Sequence, residues 1–288
     1  MIPGAFDYHR PNSVADAVAM LARLGAEARP LAGGHSLIPL MKTRLAAPDH
    51  LVDLAAIGEL KGIRDAGGEI VIGAMTTQHE LIASQLLAQK LPIIRETSLV
   101  IADPQIRYLG TLGGNVANGD PGNDMPAVMQ CLGAFYLLTG PSGSRRISAR
   151  DFYHSAYDTA LGASEIVTAI AIPTPAAGHG YAYEKLKRKV GDYATAAAAV
   201  ILTISGGKCA SASIGLTNVA STPLWAKAAA TALVGSTLDK AAIDKAVAAA
   251  EAITSPASDM RGPAEYRTKM AGVMLRRAIE RAKSRAHF

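Results

Sequence analysis

The chain has 288 residues, of which 49% are hydrophobic and 18% charged, with a formal net charge of +5. That length exceeds the ~100–200 residues of one ordinary domain, and that composition excludes a disordered or fibrous chain. Positive charge collects near the C-terminus, where Arg261, Arg267, Lys269, Arg276, Arg277, Arg281, Lys283 and Arg285 outnumber Glu265 and Glu280; with aromatic residues nearly absent among them, a solvated or partner-facing surface is expected and nucleic acid is not.

In chain order, "NSVADAVAMLARLG" predicts a first helix, with Ser13 as cap, Asp16 at capping-box spacing and Gly25 as stop. Val14, Ala17, Val18, Leu21 and Leu24 form its apolar face. "ARPLAGG" predicts a short strand running into a glycine turn, and "HLVDL" and "EIVIGAM" two further strands. Thr77 and Glu80 predict a capped helix, and Pro92 the first turn of another. Between Asp103 and Asp124, glycines and prolines are too frequent for long regular structure. "PAVMQCLGAFYLLTG" predicts helix into strand, and "SEIVTAIAIPTP" a strand ending at Pro173. A linker-like "TPAAGHG" follows, then two candidate strands with a helix possible in the alanine run, and three helical stretches. The last of these places Met270, Val273, Met274 and Ala278 on one face.

Cys131 and Cys209 are unclustered and neither has a cysteine or histidine at metal-ligand spacing, so no zinc or iron–sulfur site is expected. "MIPGAFDYHRPNS" carries charge and proline where a signal peptide needs an apolar core, and "YATAAAAVILTISGG" is shorter than the ~20 residues of a membrane helix. A soluble, cytoplasmic protein is expected.

Familiar site signatures are missing: there is no G-x-G-x-x-G, Walker loop, H-E-x-x-H or G-x-S-x-G. Two glycine turns stand out instead, "AGGHS" at 32–36 and "TLGGN" at 111–115. Glycines let a backbone approach a ligand closely and let successive N–H groups converge on an anion. His35, Ser36, Thr111 and Asn115 add side-chain donors. Either turn alone reads as a bend; the pair, with Asp124 soon after, reads as two halves of a pyrophosphate cradle.

"LAGGHSLIPLMKTRL" with "ADPQIRYLGTLGGNVANGDPGNDMPAVM" resembles the FAD-binding subunits of the molybdenum hydroxylases, the xanthine dehydrogenase family, over the whole chain. The wording of "GDPGNDMPA" and "KRKVGDYATA" is more similar to the medium subunits of aerobic carbon monoxide dehydrogenases. The resemblance implies an α+β protein with the vanillyl-alcohol oxidase / p-cresol methylhydroxylase type of FAD-binding fold. Its parts would be an N-terminal α+β subdomain at 1–55, a central mixed α/β subdomain at 56–176, and a C-terminal antiparallel sheet with helices at 177–288.

Carried over by motif, Leu31, Ala32, Gly33, Gly34, His35 and Ser36 would hold the FAD pyrophosphate and ribitol, and Thr111, Gly113, Gly114 and Asn115 would form the second cradle. Ile101 and Ala102 would line the flavin pocket, Asp124 would meet the adenosine ribose or neighbouring polar atoms, and Ile166, Val167 and Lys185 would lie along the cofactor. Tyr193 is read either as a cover for the flavin ring or as a half-buried strand-edge tyrosine. No catalytic acid or base is assigned, since electron transfer requires none. Molybdenum and [2Fe–2S] clusters would belong to a large and a small partner subunit, in a dimer of heterotrimers that passes electrons from carbon monoxide to an acceptor such as a quinone. Peripheral association of that complex with the inner face of the membrane is compatible with the same reading. A subunit acting on xanthine, nicotinate or an aldehyde, and a stand-alone flavin oxidase, remain the alternatives.

His9, His50, His79, His154, His179 and His287 are read as structural or exposed. Arg107 is read as facing the cofactor or as pairing with Asp103 or Asp120, and Lys42 and Arg44 as phosphate-facing or solvated.

Overall fold

The computed structural model describes residues 2–286, so His287 lies outside the described residues. Its first unit holds β1 (Asp7–His9), α1 (Val14–Leu24), β2 (Ala28–Leu31), α2 (Leu37–Lys42) and β3 (His50–Asp53). Because a helix separates each successive pair of strands, the strands run parallel, in the order β1-β3-β2. Ser13 accepts from the Asp16 N–H, Gly25 ends α1 at φ +69°, and Ala17, Val18 and Leu21 turn inward onto Val52, Leu54 and Ile57.

The second unit opens with a hairpin, β4 (Ile63–Asp65) and β5 (Glu69–Gly73). A block of helices follows: α3 (Gln78–Ala83), α4 (Gln85–Lys90), α5 (Pro92–Val100), α6 (Pro104–Leu109), α7 (Leu112–Ala117) and α8 (Asp124–Leu132). The predicted capping box is present, with the Thr77 side chain on the Glu80 N–H and the Glu80 carboxylate on the Thr77 N–H. The glycine-rich stretch forms the short helices α6 and α7, each six residues long. Then come β6 (Phe135–Gly140), β7 (Gly143–Ser148), the ribbon β8 (Tyr153–Ser155) with β9 (Asp158–Thr159), and β10 (Ile166–Pro173). The five-stranded order is β4-β5-β10-β6-β7 and every pairing is antiparallel. Within this mixed α/β region the helices enter as one block between two hairpins and not as crossovers between parallel strands.

The third unit consists of β11 (Gly180–Leu186), β12 (Ala196–Ser205), β13 (Lys208–Thr217) and β14 (Leu224–Trp225), antiparallel in that order, with α9 (Lys227–Leu233), α10 (Lys240–Glu251) and α11 (Ala264–Arg285). The alanine run is strand and not helix. Ala197 and Ala199 point into the core beneath α8, while Ala196 and Ala198 face the core beneath α11. A strand covered on both faces and paired along both edges overrides alanine's helix propensity. The approach is close: a Cβ on Gly215 would lie 2.2 Å from the Ala127 carbonyl oxygen of α8.

On α11 the buried stripe is Ala271, Met274, Leu275, Ala278, Ile279 and Ala282, with Met270 and Val273 only partly covered at its margin. The basic tail is largely drawn into ion pairs. Arg281 bonds Glu184 and Glu96, Arg285 bonds Glu96 at 2.8 Å, and Arg276 and Lys269 reach Asp244 and Glu251. Arg267 is buried, donating to the carbonyl oxygens of Thr195, Ala257 and Asn218.

Candidate cofactor-binding site

The two glycine turns meet. β2 ends at Leu31, and Ala32, Gly33, Gly34, His35 and Ser36 carry the chain round to α2, with Gly34 at φ +74°. A Cβ on Gly33 would sit 2.2 Å from the Leu109 carbonyl oxygen, and one on Gly114 would sit 3.3 Å from the Ala32 Cβ. The turns therefore touch through positions that only glycine fills. Between them opens a cavity of about 370 Å³ lined by Ala32, Gly33, Met75 and Thr111, with Lys61, Thr77, His79, Glu80 and Tyr108 as its polar and aromatic walls.

Their hydrogen bonding differs. Among the described residues, no protein acceptor takes the N–H groups of Gly33, Gly34, His35 or Ser36. Four successive free N–H groups in a turn of this kind form an anion nest. In the second turn most N–H groups are spoken for: Leu112 donates to the Thr76 carbonyl, Gly113 to the Ala74 carbonyl, and Gly114 to the Thr111 hydroxyl that caps α7, while among the described residues no protein acceptor takes the Thr111 N–H. The second turn thus keeps fewer free N–H groups than the first. The second turn gives close approach, and its Asn115 Oδ1 is buried without a partner. The Asn115 carbonyl accepts from the Asn123 side-chain amide at 2.8 Å, which ties the turn to the start of α8.

A second cluster gathers residues from three elements. Asp124 opens α8 and is buried; it accepts from the Tyr183 hydroxyl at 2.5 Å and from Lys185 Nζ at 2.8 Å. Burial, with Asp124 beside it, raises the Tyr183 hydroxyl well above its ordinary range. Lys185 and Lys187 both point their ammonium groups at the Val100 carbonyl oxygen, 3.5 and 3.2 Å away, next to Ile101 and Ala102. Ala102 holds a left-handed φ of +46°. Burial lowers the Lys187 ammonium, and the charge of Lys185 lowers it further. Arg107 pairs with neither Asp103 nor Asp120: it donates to the Ile101 carbonyl at 2.9 Å and so satisfies the C-terminal end of α5. Ile166 and Val167 are buried on β10, Val167 in the core of the second unit and Ile166 in that of the first.

Tyr193 stands apart from both clusters, against the "GDPGND" loop. A Cβ on Gly122 would lie 2.8 Å from its ring, and the Arg261 guanidinium lies 5.7 Å from the ring centre. The ring is 41% exposed, while burial of the hydroxyl end, with Asp120 and Tyr157 nearby, pushes its pKa up to about 12. Lys42 and Arg44 are exposed.

Sequence reasoning passed over Tyr183, Lys187 and the stacked pair His79–Tyr108, whose ring centroids lie 4.1 Å apart at the cavity. Lys185 on β11 and Lys187 one residue past its end carried a signal, since residues two apart in an extended run share a face. The His79–Tyr108 pair carried none, because its members come from different helices.

Residues 4–175 match the family described as the FAD binding domain in molybdopterin dehydrogenase, and residues 181–282 match the CO dehydrogenase flavoprotein C-terminal domain. The chain is 75% identical to the carbon monoxide dehydrogenase medium chain of Afipia carboxidovorans, covering 99% of both, and 48% identical to that of Hydrogenophaga pseudoflava, again covering 99% of both. A solved Cu,Mo-CO dehydrogenase in its cyanide-inactivated form contains a chain 75% identical, superposing with a TM-score of 0.99 over 99% of this chain and 100% of that one.

Proposed function

Since the chain belongs to the family of FAD-binding subunits of the molybdopterin dehydrogenases, we propose that it is the flavoprotein subunit of an aerobic carbon monoxide dehydrogenase. The observation that carries the FAD reading is the free N–H nest at Gly33–Ser36 packed against a glycine turn that a Cβ would disrupt. An anion is what such a nest binds, and the pyrophosphate of a dinucleotide is the anion whose two flanks need a cavity. Gly33, Gly34, His35 and Ser36 would hold the pyrophosphate, with Leu31 and Ala32 leading into the turn. Thr111, Gly113 and Gly114 would bring the second turn close, and Asn115 would offer its unpartnered amide oxygen to a ligand hydroxyl or N–H. Ile101, Ala102, Ile166 and Val167 would give apolar walls.

Asp124 and Lys185 neutralise each other, so their part is to hold the α8 end and the β11 strand in register around the site. Tyr193 would cover an approach to the ring system and limit access to it.

When bound, FAD supplies a two-electron store that can be filled one electron at a time and emptied into an external acceptor. The chain's own residues would bind, orient and shield, and electron transfer requires no general acid or base of them. The overall reaction, CO + H2O → CO2 + 2 H+ + 2 e−, takes place at a molybdenum site in a large partner subunit, and a small partner subunit relays the electrons through [2Fe–2S] clusters. The assembly would be a dimer of heterotrimers acting in the cytoplasm, with a quinone as acceptor and peripheral contact with the membrane. No described helix is long and apolar enough to cross a membrane. Purifying the complex and assaying it with carbon monoxide and with xanthine tests the reading: acceptor reduction with carbon monoxide supports it, and turnover of the heterocycle alone overturns it.

A further inference from the structure

At the far end of the N-terminal sheet from the glycine turn, three metal-ligating side chains converge. Asp7 and His9 are two apart on β1 and so share a face, and His50 opens the adjacent strand β3, in register with Asp7. The His9 Nε2 and His50 Nδ1 atoms are 3.3 Å apart, and His50 Nδ1 lies 3.5 Å from an Asp7 carboxylate oxygen. All three donor atoms lie within 4.8 Å of one another. Ligand atoms held ~2.0–2.1 Å from a tetrahedral zinc ion are ~3.3–3.4 Å from each other, which is the spacing of the two histidine nitrogens.

From this geometry we propose that Asp7, His9 and His50 form a binding site for a divalent first-row transition ion of the zinc type. The ligands are two neutral imidazoles and one carboxylate, the donor set of three-ligand zinc sites, with a fourth position left to water. Asp7 is 75% exposed and His50 25%, so an ion reaches the site from solvent while one imidazole is already held in place. On the opposite face of β1 the Tyr8 hydroxyl bonds Asp53, so the strand is pinned from one side by that bond and from the other by the metal.

The role is a clip between β1 and β3. His50 pairs with Ala28 whereas Asp53 pairs with Leu31, so the site sits about 10 Å of strand away from the glycine turn. Metal and FAD should therefore bind independently. The site escaped the sequence reading because its ligands come from strands 41 residues apart, which no local spacing shows.

The test titrates Zn2+ into the full-length chain by calorimetry at neutral pH, and Co2+ by visible absorption. One equivalent of Zn2+ should bind with proton release, and Co2+ should give the intense visible bands of a four-coordinate nitrogen and oxygen site. Asp7→Asn and His9→Gln should each weaken binding by at least ~10-fold and leave FAD content unchanged. Asp7 is exposed enough that its substitution cannot unfold the chain, so a misfolded His9 variant does not rescue the idea. Absence of saturable Zn2+ uptake, or uptake that both variants leave unaltered, overturns the proposal.

Discussion

Lys185 Nζ on β11 lies 2.8 Å from Asp124 Oδ2 at the start of α8, with the two side chains only 3% and 7% exposed. A buried pair of this kind joins the helix that follows the second glycine turn to the C-terminal sheet. Breaking it by Lys185→Met leaves an uncompensated buried carboxylate, which costs about 3–5 kcal/mol, whereas removing both charges costs much less. Urea unfolding of Lys185→Met, Asp124→Asn and the double variant checks this. The double variant should be more stable than the less stable single variant; strictly additive losses would contradict the pairing.

On the proposed reading, Asn115 would act on stability and on FAD binding with opposite signs. Its Oδ1 is buried without a partner, so Asn115→Leu relieves an unsatisfied group worth about 1–3 kcal/mol. The apo variant should melt no lower than the wild-type chain, while its affinity for FAD falls. Thermal unfolding with and without FAD separates the two effects. A variant that is both less stable and equally good at binding FAD would show that Asn115 is a structural residue.

Acid should destabilise the protein through its exposed carboxylate pairs. Hydrogen bonding to Arg145 holds Glu165 below its ordinary 4.5, and Arg146 holds Glu69 below the same value. A carboxylate with a lowered folded pKa binds protons more weakly in the folded state. Its contribution is therefore present above about pH 4.5 and is lost as the pH falls through the lowered value. The unfolding midpoint should drop below that pH, and Glu165→Gln should flatten the drop. An unchanged acid slope in the variant would assign the loss to other groups.

Much of this architecture was legible because it is local. Ser13, Gly25, the Thr77–Glu80 box and Pro92 mark helix ends through interactions within one turn. The alanine run was not legible, because its strand state depends on neighbours on both edges and helices on both faces. The site divides in the same way. The glycines at 33, 34, 113 and 114 announce close approach from sequence, but which turn keeps its N–H groups free depends on Thr76 and Ala74, brought in from the end of β5. Asp124 and Lys185 were both singled out as cofactor neighbours, and only the tertiary fold reveals that they satisfy each other. Arg107, with two aspartates close in sequence, is claimed instead by backbone carbonyls at a helix end.

On the proposed function, the joined glycine turns hold the FAD through which electrons leave the complex. A Gly33→Val side chain would strike the Leu109 carbonyl oxygen, a backbone atom that cannot swing aside, and so would part the two turns. The decisive measurement is flavin content and acceptor reduction in the complete complex carrying that variant. Carbon monoxide should still bleach the iron–sulfur absorption, while FAD is missing and acceptor reduction is lost. Full FAD content with normal acceptor reduction in a correctly folded Gly33→Val complex would contradict the account.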